Sequence, residues 1–145
     1  MLAELKRQGL IRHIGLSNVS PHQLAEAQAI TETVCVQNLY NVAHRHADGF
    51  INDLARRGVA YVPFFPLGGF TPLQSSALDA AAAALEATPM QVALAWLLQR
   101  SPNILLIPGT SSIQHLRENL KAATLQLPAE MIVVGLDMIG GHSRQ

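Results

Sequence analysis

The stretch Ile104-Leu-Leu-Ile-Pro-Gly-Thr-Ser-Ser112, followed closely by His115-Leu-Arg-Glu-Asn119, decides how the rest of the chain is interpreted. Its apolar half predicts a buried strand that stops at Pro108, and a polar turn containing glycine then leads into a helix. The first N–H groups of such a helix have no partner inside the helix, and the helix dipole places positive potential at the same end. The stretch therefore predicts a strand–turn–helix unit with an anion-binding site at the strand end.

Three apolar runs earlier in the chain also have strand character. They are His13-Ile-Gly-Leu16, Val34-Cys-Val-Gln37 and Val59-Ala-Tyr-Val-Pro-Phe64. The second of these, like the run before Pro108, is almost continuously apolar, which is typical of strands covered on both faces. Glycine-bearing loops lie at the ends of the first and third runs, at Gly15-Leu-Ser-Asn18 and Phe64-Phe-Pro-Leu-Gly-Gly69. Together these loops predict one cofactor that is held by several strand ends.

Helical segments separate the predicted strands. The clearest begins at Thr88-Pro-Met-Gln91, where a capping threonine, a proline and a glutamine open an apolar run. Other helices are predicted at residues 2–9, 21–30, 48–57 and 78–87, with Ser20 as the N-cap of the second and Gly58 directly after the third. Alternating strands and helices favour parallel strands joined by right-handed crossovers. The helix at residues 2–9 has no start signal, so we expect further chain to precede it.

Composition restricts the class of protein. The 145 residues include 49% hydrophobic and 14% charged side chains, which predicts a single folded domain over residues 1–145. Ten basic residues balance ten acidic ones, so charge gives no reason to expect a nucleic-acid or membrane partner. No apolar run reaches the roughly 18–20 residues needed to span a bilayer, and the first residues lack the features of a signal peptide. Because Cys35 is the single cysteine, we expect a cytoplasmic location.

A few residues permit either a chemical or a structural interpretation. His44, His46 and Asp48 have a spacing that can supply metal ligands, whereas the alternative is a solvated loop in which Asp48 caps the next helix. Capping is favoured because no further ligand stands in a recognisable arrangement, and we predict no metal site. Cys35 and Trp96 are expected to be packing residues of the core.

Four motifs, taken in order, resemble the C-terminal half of an aldo/keto reductase. They are Gln8-Gly-Leu-Ile-Arg12 leading into Gly15-Leu-Ser-Asn18, Gln37-Asn-Leu-Tyr-Asn41, Phe65-Pro-Leu-Gly68, and Ile107-Pro-Gly-Thr110 with Glu118-Asn119. Each lies at the end of a predicted strand, and together they cover almost the whole chain. The resemblance implies the (β/α)8 TIM barrel of that family, an architecture of about 250 residues. This chain is then an α/β half-barrel that supplies parallel strands five to eight with their helices.

Longer strings resemble the bacterial pyridoxal reductase branch of the family. They are Val34-Cys-Val-Gln-Asn38 and the stretches over residues 60–76 and 88–102. That branch reduces pyridoxal to pyridoxine with NADPH. The resemblance therefore implies an oxidoreductase that uses NADP (NADPH) to reduce a small aldehyde or ketone, with pyridoxal as the expected substrate.

Family roles transfer residue by residue to the matching positions. Ser17 and Asn18 resemble the pair that holds the nicotinamide carboxamide, and Gln37 resembles its third hydrogen-bonding partner. These residue types suit the task because an amide ligand needs a donor and an acceptor in fixed orientation. Phe64 stands where the family usually stacks an aromatic ring, commonly tyrosine, on the nicotinamide.

A second set of matched positions is implied to lie along the pyrophosphate of the cofactor. The set consists of Phe65, Pro66, Leu67 and Gly68. Gly68 and the following Gly69 would allow the pyrophosphate to approach the backbone closely.

The last set of matched positions is implied to bind the adenosine end of NADPH. Its ribose and 2′-phosphate would contact Gly109, Thr110, Ser111 and Ser112, and its adenine would contact Glu118 and Asn119. Gly109 and His115 stand where many relatives carry lysine and arginine. Hydroxyls, amides and a helix N-terminus would then bind the phosphate, and the preference for NADP over NAD depends on them.

The residues that catalyse reduction in this family come from the first half of the barrel. They are a tyrosine general acid with an aspartate, a lysine and a histidine, and nothing in this sequence matches their motifs. Of the two tyrosines, Tyr61 lies early in a predicted strand, and Tyr40 has no lysine neighbour in sequence to lower its pKa. We therefore assign no catalytic residue and expect no appreciable reductase turnover from the chain alone.

Two alternatives to an enzyme segment stay open. The chain can be a non-catalytic module that completes its barrel by self-association or by pairing with an N-terminal half-barrel, because four parallel strands leave two open edges. It can also be the product of a truncated reading frame without a function of its own.

Overall fold

The computed structural model describes residues 1–68, 75–131 and 136, and it alternates short strands with helices. The strands are β1 (Gly15–Ser17), β2 (Cys35–Gln37) and β3 (Ala60–Tyr61). The helices are α1 (Leu2–Arg7), α2 (Pro21–Ile30), α3 (Asp48–Arg56), α4 (Ser76–Ala84), α5 (Pro89–Arg100), α6 (Ile113–Lys121) and α7 (Ala129–Met131), with a 3₁₀ turn at Ala122–Thr124. The predicted alternation of strands and helices is confirmed.

The three strands form a parallel sheet in the order β1-β2-β3. Leu16 of β1 pairs with Val36 of β2, which in turn pairs with Tyr61 of β3. Consecutive strands are therefore neighbours, and each returns to the sheet through a helix, as the sequence predicts. A parallel arrangement places all strand ends, and the loops that follow them, at the same edge.

The predicted fourth strand is reduced to a parallel bridge between Ile104 and Tyr61. Its hydrogen bonds run from the Tyr61 amide to the Asn103 carbonyl, 2.8 Å, and from the Leu105 amide to the Tyr61 carbonyl, 2.9 Å. The next bond of the ladder would need an N–H from Pro63, which proline lacks. The strands expected at residues 104–107 and 59–64 are therefore shorter than predicted.

Two helix starts confirm the predictions made from capping residues. The Ser20 hydroxyl accepts the amide of Gln23 at 3.2 Å, and the Gln23 side chain accepts the amide of Ser20 at 2.9 Å. Thr88 and Gln91 form the same reciprocal pair at the start of α5, with distances of 3.2 and 2.9 Å. Each pair satisfies amides that the helix itself leaves without partners, which fixes where α2 and α5 begin.

Two helices end just before a glycine with a positive φ. Gly9, with φ of 74°, follows α1, and Gly58, with φ of 68°, follows α3, as the sequence predicts. Helix α4 covers residues 76–84 instead of the predicted 78–87, because Glu86 adopts a φ of 50° and cannot continue the helix.

The helices cover one face of the sheet. Val36 and Tyr61 on that face are fully buried, and α5 contributes six consecutive buried residues, Val92–Leu97. The Trp96 ring stacks on Tyr40 with 5.9 Å between ring centroids, and the Tyr40 ring meets Tyr61 edge-on at 6.0 Å. Burial of these large rings in one cluster is a main source of the free energy of folding.

The opposite face of the sheet is open. Ser17 is exposed on it, Gln37 is half-buried, and the side chains of Leu105 and Ile107 are 57% and 48% exposed. In a (β/α)8 barrel this face would line the interior, so the chain has the architecture of a half-barrel.

Helices α4 and α5 are rich in apolar residues. Within residues 1–68, 75–131 and 136, no single helix has the length and apolar character needed to cross a membrane. The two helices meet those criteria only when they are counted as a pair, and the pair is bent by 92° at its break.

Candidate functional site

The loops after the strands are tied to the segment that follows β2. The Asn18 amide, directly after β1, donates to the Gln37 carbonyl at 3.0 Å. The Phe64 amide, after β3, donates to the Asn38 carbonyl at 3.2 Å, and Phe64 forms a parallel bridge with Leu39. The three strand ends are therefore joined by backbone hydrogen bonds into one edge.

The three residues predicted for the nicotinamide carboxamide lie together at this edge. Ser17 pairs with Gln37 across β1 and β2, and Asn18 follows Ser17 with a left-handed φ of 54°. Ser17 and Asn18 are exposed and Gln37 is half-buried, so their side chains can meet a ligand. The structure brings these residues together, while their individual roles stay predictions.

A first cavity, of about 430 Å³, lies between the loop after β3 and the chain after Ile104. It is lined by Phe64, Phe65, Pro66, Leu67, Ile107, Pro108 and Gly109. The rings of Phe64 and Phe65 meet edge-on with 5.4 Å between centroids. The aromatic residue and the loop that the sequence assigns to nicotinamide and pyrophosphate therefore border one space.

The loop in this cavity is a tight turn. The Gly68 amide donates to the Phe65 carbonyl at 3.0 Å, and Gly68 adopts a φ of 92° that only glycine accepts at low cost. Gly69, which the sequence also assigns to this loop, lies outside the described residues.

A second cavity, of about 470 Å³, adjoins the first. It is lined by Leu67, Thr88, Met90, Gly109, Thr110, His115, Glu118 and Asn119. Leu67 and Gly109 line both cavities. Residues predicted for the adenosine end thus line a cavity that shares two lining residues with the cavity beside Phe64 and the predicted pyrophosphate loop.

The start of α6 is more fully hydrogen-bonded than the sequence predicts. The Ser112 hydroxyl caps the helix by accepting the His115 amide at 3.3 Å, and the Thr110 hydroxyl accepts the Ser112 amide at 3.1 Å. Two amides of this turn are therefore satisfied inside the chain, which corrects the expectation that its amides are free. Ile113 and Gln114 remain the positions whose amides have no partner within a helix. Ser111 is exposed beside them but does not line either of the two cavities.

Sequence reasoning did not assign four of the lining residues. They are Thr88, Met90, Ile107 and Pro108. The capping box at Thr88 locates the start of α5, but only the tertiary structure places that start against α6. The Gln91 side chain makes this junction by donating to the Glu118 carbonyl at 3.1 Å.

Gly15 and Gly109 differ in the space that is available for a side chain. Gly15 lies within β1, where an added Cβ would overlap the Sγ atom of Cys35 on the neighbouring strand. Close approach of β2 therefore explains Gly15, and Cys35 is a half-buried packing residue beside it. Gly109 has no neighbouring atom within 4 Å of the position of a Cβ.

The two tyrosines are buried against the helices and line neither cavity. The Tyr40 hydroxyl donates to Asp48 Oδ1 at 2.5 Å. Burial raises the pKa of both hydroxyls above the ordinary tyrosine value, and for Tyr40 the hydrogen bond to Asp48 raises it further. Neither group is placed or tuned to donate a proton to a ligand at the strand ends.

Asp48 does not cap α3, so that prediction is wrong. The N-cap position is Ala47, without a side-chain cap, and Asp48 instead pairs with Arg45 at 2.8 Å and with Arg100 at 3.2 Å. Burial raises the pKa of this carboxyl, but the Tyr40 hydrogen bond and the two arginines outweigh it, so the pKa lies below its ordinary value. Over the described ranges, no group of three or more histidine, cysteine, aspartate or glutamate side chains is arranged to hold a metal ion.

The fold is that of half of a (β/α)8 barrel, with two cavities beside its strand ends that share Leu67 and Gly109. The chain belongs to the aldo/keto reductase family, whose sequence profile matches residues 1–133. It is 66% identical to pyridoxine 4-dehydrogenase of Escherichia coli (strain K12) over 145 residues, which are all of this chain and 49% of that protein. The chain therefore spans about half the length of the curated relative it matches.

Solved structures agree with this assignment. A thermostable aldo-keto reductase in complex with the inhibitor epalrestat superposes with a TM-score of 0.87 at 37% identity, over 96% of this chain and 52% of that one. An aldo/keto reductase from Klebsiella pneumoniae in complex with NADP and acetate superposes with a TM-score of 0.83 at 25% identity, over 98% and 53%. The predicted fold and family are confirmed.

Proposed function

We propose that this chain binds NADP(H) in the groove formed by the two adjoining cavities, as the cofactor-binding half of a reductase for small aldehydes or ketones. The observation that carries the proposal is that Leu67 and Gly109 line both cavities. One elongated ligand can therefore run from Phe64 at one end to Asn119 at the other. The NADP complex of the Klebsiella pneumoniae relative supports this choice of ligand.

The chemistry of the lining residues fits the two ends of such a dinucleotide. Glu118 supplies a carboxylate that can accept a hydrogen bond from the exocyclic amine of adenine, and Asn119 supplies both a donor and an acceptor. Thr110, His115 and the start of α6 can donate to a phosphate. At the other end, the half-buried Phe64 ring offers a stacking surface.

When bound, NADPH supplies the hydride for carbonyl reduction. This chain's part is to orient the nicotinamide: Ser17, Asn18 and Gln37 fix its carboxamide, and the aromatic ring fixes its plane. Holding the reacting carbon of the nicotinamide in one position lowers the activation barrier for hydride transfer, because less orientational freedom is lost on the way to the transition state. We expect the other half of the barrel to supply the proton donor, because Tyr40 and Tyr61 are buried and line neither cavity.

We assign the substrate as the aldehyde of pyridoxal. The support is the 66% identity to an Escherichia coli protein named pyridoxine 4-dehydrogenase. Substrate contacts in a complete barrel also come from its other half, so this assignment concerns the assembled enzyme. The chain alone is expected to bind cofactor without steady oxidation of NADPH.

Calorimetric titration of the purified chain tests the cofactor proposal. NADPH is expected to bind more tightly than NADH, and His115→Ala is expected to reduce that difference. His13→Ala is the matched control, because His13 is an exposed histidine that precedes β1 at the opposite end of the sheet. Absence of heat with NADPH, or equal effects of the two variants, would contradict the proposal. Steady NADPH oxidation with pyridoxal would contradict the absence of a proton donor.

A second candidate function is barrel completion with another half-barrel. Apolar side chains remain exposed along the open face and along one side of α6. They are Leu105, Ile107, Ile113, Leu116 and Leu120, each at least 48% exposed. Several large apolar side chains exposed on the same chain in this way are typical of an interface. Sedimentation of the wild type should show dimers that Leu105→Ser with Leu116→Ser disperses, whereas a wild-type monomer at all concentrations argues against self-pairing.

A further inference from the structure

Two asparagines after β2 make side-chain hydrogen bonds to the loops on either side of them. The Asn38 carboxamide donates to the Val19 carbonyl at 2.8 Å and accepts the Val19 amide at 3.1 Å. It therefore pairs with both polar groups of one backbone residue. Val19 directly follows Asn18, whose φ of 54° is left-handed.

Asn41 makes the corresponding contact on the other side. Its Nδ2 donates to the Phe65 carbonyl at 3.0 Å, and its Oδ1 accepts the amides of Ala43 and His44, each at 3.0 Å. Asn41 is 1% exposed, so this orientation is fixed in the interior. The Phe65 carbonyl also accepts the Gly68 amide, so one acceptor joins Asn41 to the turn.

Each of the contacted loops contains a left-handed non-glycine residue: Asn18 follows β1, and Phe65, which lines the first cavity, follows β3. Phe65 has a φ of 53°, close to that of Asn18. An aromatic residue in this region is strained, and such strain persists where surrounding contacts hold it. Asn38 is hydrogen-bonded to Val19, the residue after Asn18. Asn41 donates a hydrogen bond to the carbonyl of Phe65 itself.

We infer that Asn38 and Asn41 are positioning residues that hold the loops after β1 and β3 in the conformation that receives the dinucleotide. They act through Asn18 and Phe65, not by touching the ligand. The consequence for binding rests on the proposed function, whereas the consequence for loop conformation does not. Pre-organised loops lose less conformational freedom on binding, so releasing them should weaken affinity.

Asn103 offers a matched control. Its Nδ2 donates to the Val59 carbonyl at 2.9 Å, and its Oδ1 accepts the Ser101 hydroxyl at 2.8 Å. It therefore has the same chemistry as Asn41, but it precedes Ile104 and contacts Val59, the residue before β3, away from the loops that follow the strands. An Asn→Asp change at each position keeps the acceptor, removes the donor and adds the same charge.

The experiment compares Asn38→Asp, Asn41→Asp and Asn103→Asp in the full chain. Backbone NMR shifts and couplings report φ at positions 18 and 65, urea unfolding reports stability, and calorimetry reports the Kd for NADPH. Asn41→Asp is expected to move Phe65 out of the left-handed region and to weaken NADPH binding about tenfold, the upper range for one lost hydrogen bond. Asn38→Asp should act likewise at Asn18. Asn103→Asp should lose stability with an unchanged Kd.

The outcomes distinguish the positioning role of Asn38 and Asn41 from the proposal that the chain binds NADP(H). An unchanged φ at both positions in the Asn38 and Asn41 variants overturns the inference, as does equal weakening of NADPH binding by Asn103→Asp. A wild type that does not bind NADPH, with Phe65 displaced in Asn41→Asp, overturns the proposed function and supports the positioning role. Asn41→Ala, which adds no charge, is measured in the same way if Asn41→Asp does not fold.

Discussion

The two faces of the sheet have opposite character. On the helix side, Val36 and Tyr61 are fully buried in the same core cluster as Trp96, whereas on the open side Leu105 and Ile107 keep about half of their surface exposed. Neighbouring residues of one extended segment supply both faces, as Val36 and Gln37 do in β2, because side chains alternate along a strand. The free energy of folding is therefore concentrated on one face. The open face and the strand ends remain available for a ligand and for the rest of a barrel.

The largest expected effect comes from the covered face. Trp96→Ala removes a buried ring that stacks on Tyr40 and lies 5.3 Å from the Arg45 guanidinium, and it should lower the free energy of unfolding by about 3–5 kcal/mol. Ile107→Ala on the open face should cost less than about 1 kcal/mol. Urea denaturation measures the free energy of unfolding of both variants. Equal decreases would contradict the claim that the helix-covered face contributes most of the stability.

A smaller effect separates the two buried tyrosines. Tyr40→Phe removes a donor from Asp48 and should cost about 2 kcal/mol, the range for a hydrogen bond to a charged group. The Tyr61 hydroxyl is buried without a hydrogen-bond partner in the described structure, so Tyr61→Phe should be neutral or stabilise by up to about 1 kcal/mol. Thermal and urea unfolding of the pair measure this, and a loss from Tyr61→Phe as large as that from Tyr40→Phe would contradict the assignment.

The Asp48 carboxylate should make stability depend on acid pH. Its pKa lies below the ordinary value in the folded chain, so its contribution is present above that ordinary value and is lost as pH falls through the folded pKa. Asp48→Asn should cost about 1 kcal/mol near neutral pH and should flatten the profile as the pH falls below about 5. Unfolding free energies across this range provide the test, and parallel profiles would rule out Asp48 as the responsible group.

An effect of similar size is expected from the close contact between β1 and β2. Gly15→Ala should cost about 1 kcal/mol, because its Cβ would overlap Cys35 Sγ on the open side of the sheet. Cys35→Ala should remove most of this cost in the double variant. A double-mutant cycle on unfolding free energies measures the coupling, and simple additivity would show that Cys35 is not the obstacle.

The sequence predicts what depends on local chemistry. Capping residues locate the starts of α2 and α5, and glycines locate the ends of α1 and α3, because these features involve residues a few positions apart. Pro63 can also be read from the sequence, and proline cannot donate a hydrogen bond to a neighbouring strand. Its effect is to stop the pairing with the segment at Ile104, and this depends on which segment lies beside β3. Strand lengths therefore could not be predicted.

In the candidate site too, features set by residues close in sequence could be predicted, whereas those set by tertiary packing could not. Motif resemblance places Ser17, Gln37 and Phe64 at strand ends, and the structure brings them to one edge. Thr88 and Met90 could not be assigned, because they reach the groove through the packing of α5 against α6. The role of Asp48 was misjudged for a related reason, since its partner Arg100 is 52 residues away along the chain.

The central claim is that the strand-end loops form one groove for a dinucleotide. An amide NMR titration of the isotope-labelled chain with NADP+ tests it most directly. We expect shifts to concentrate at Ser17, at residues 64–68 and at residues 109–119, with residues near Asn103 unchanged. Shifts confined to the opposite edge of the sheet, or no shifts at saturating NADP+, would contradict the claim.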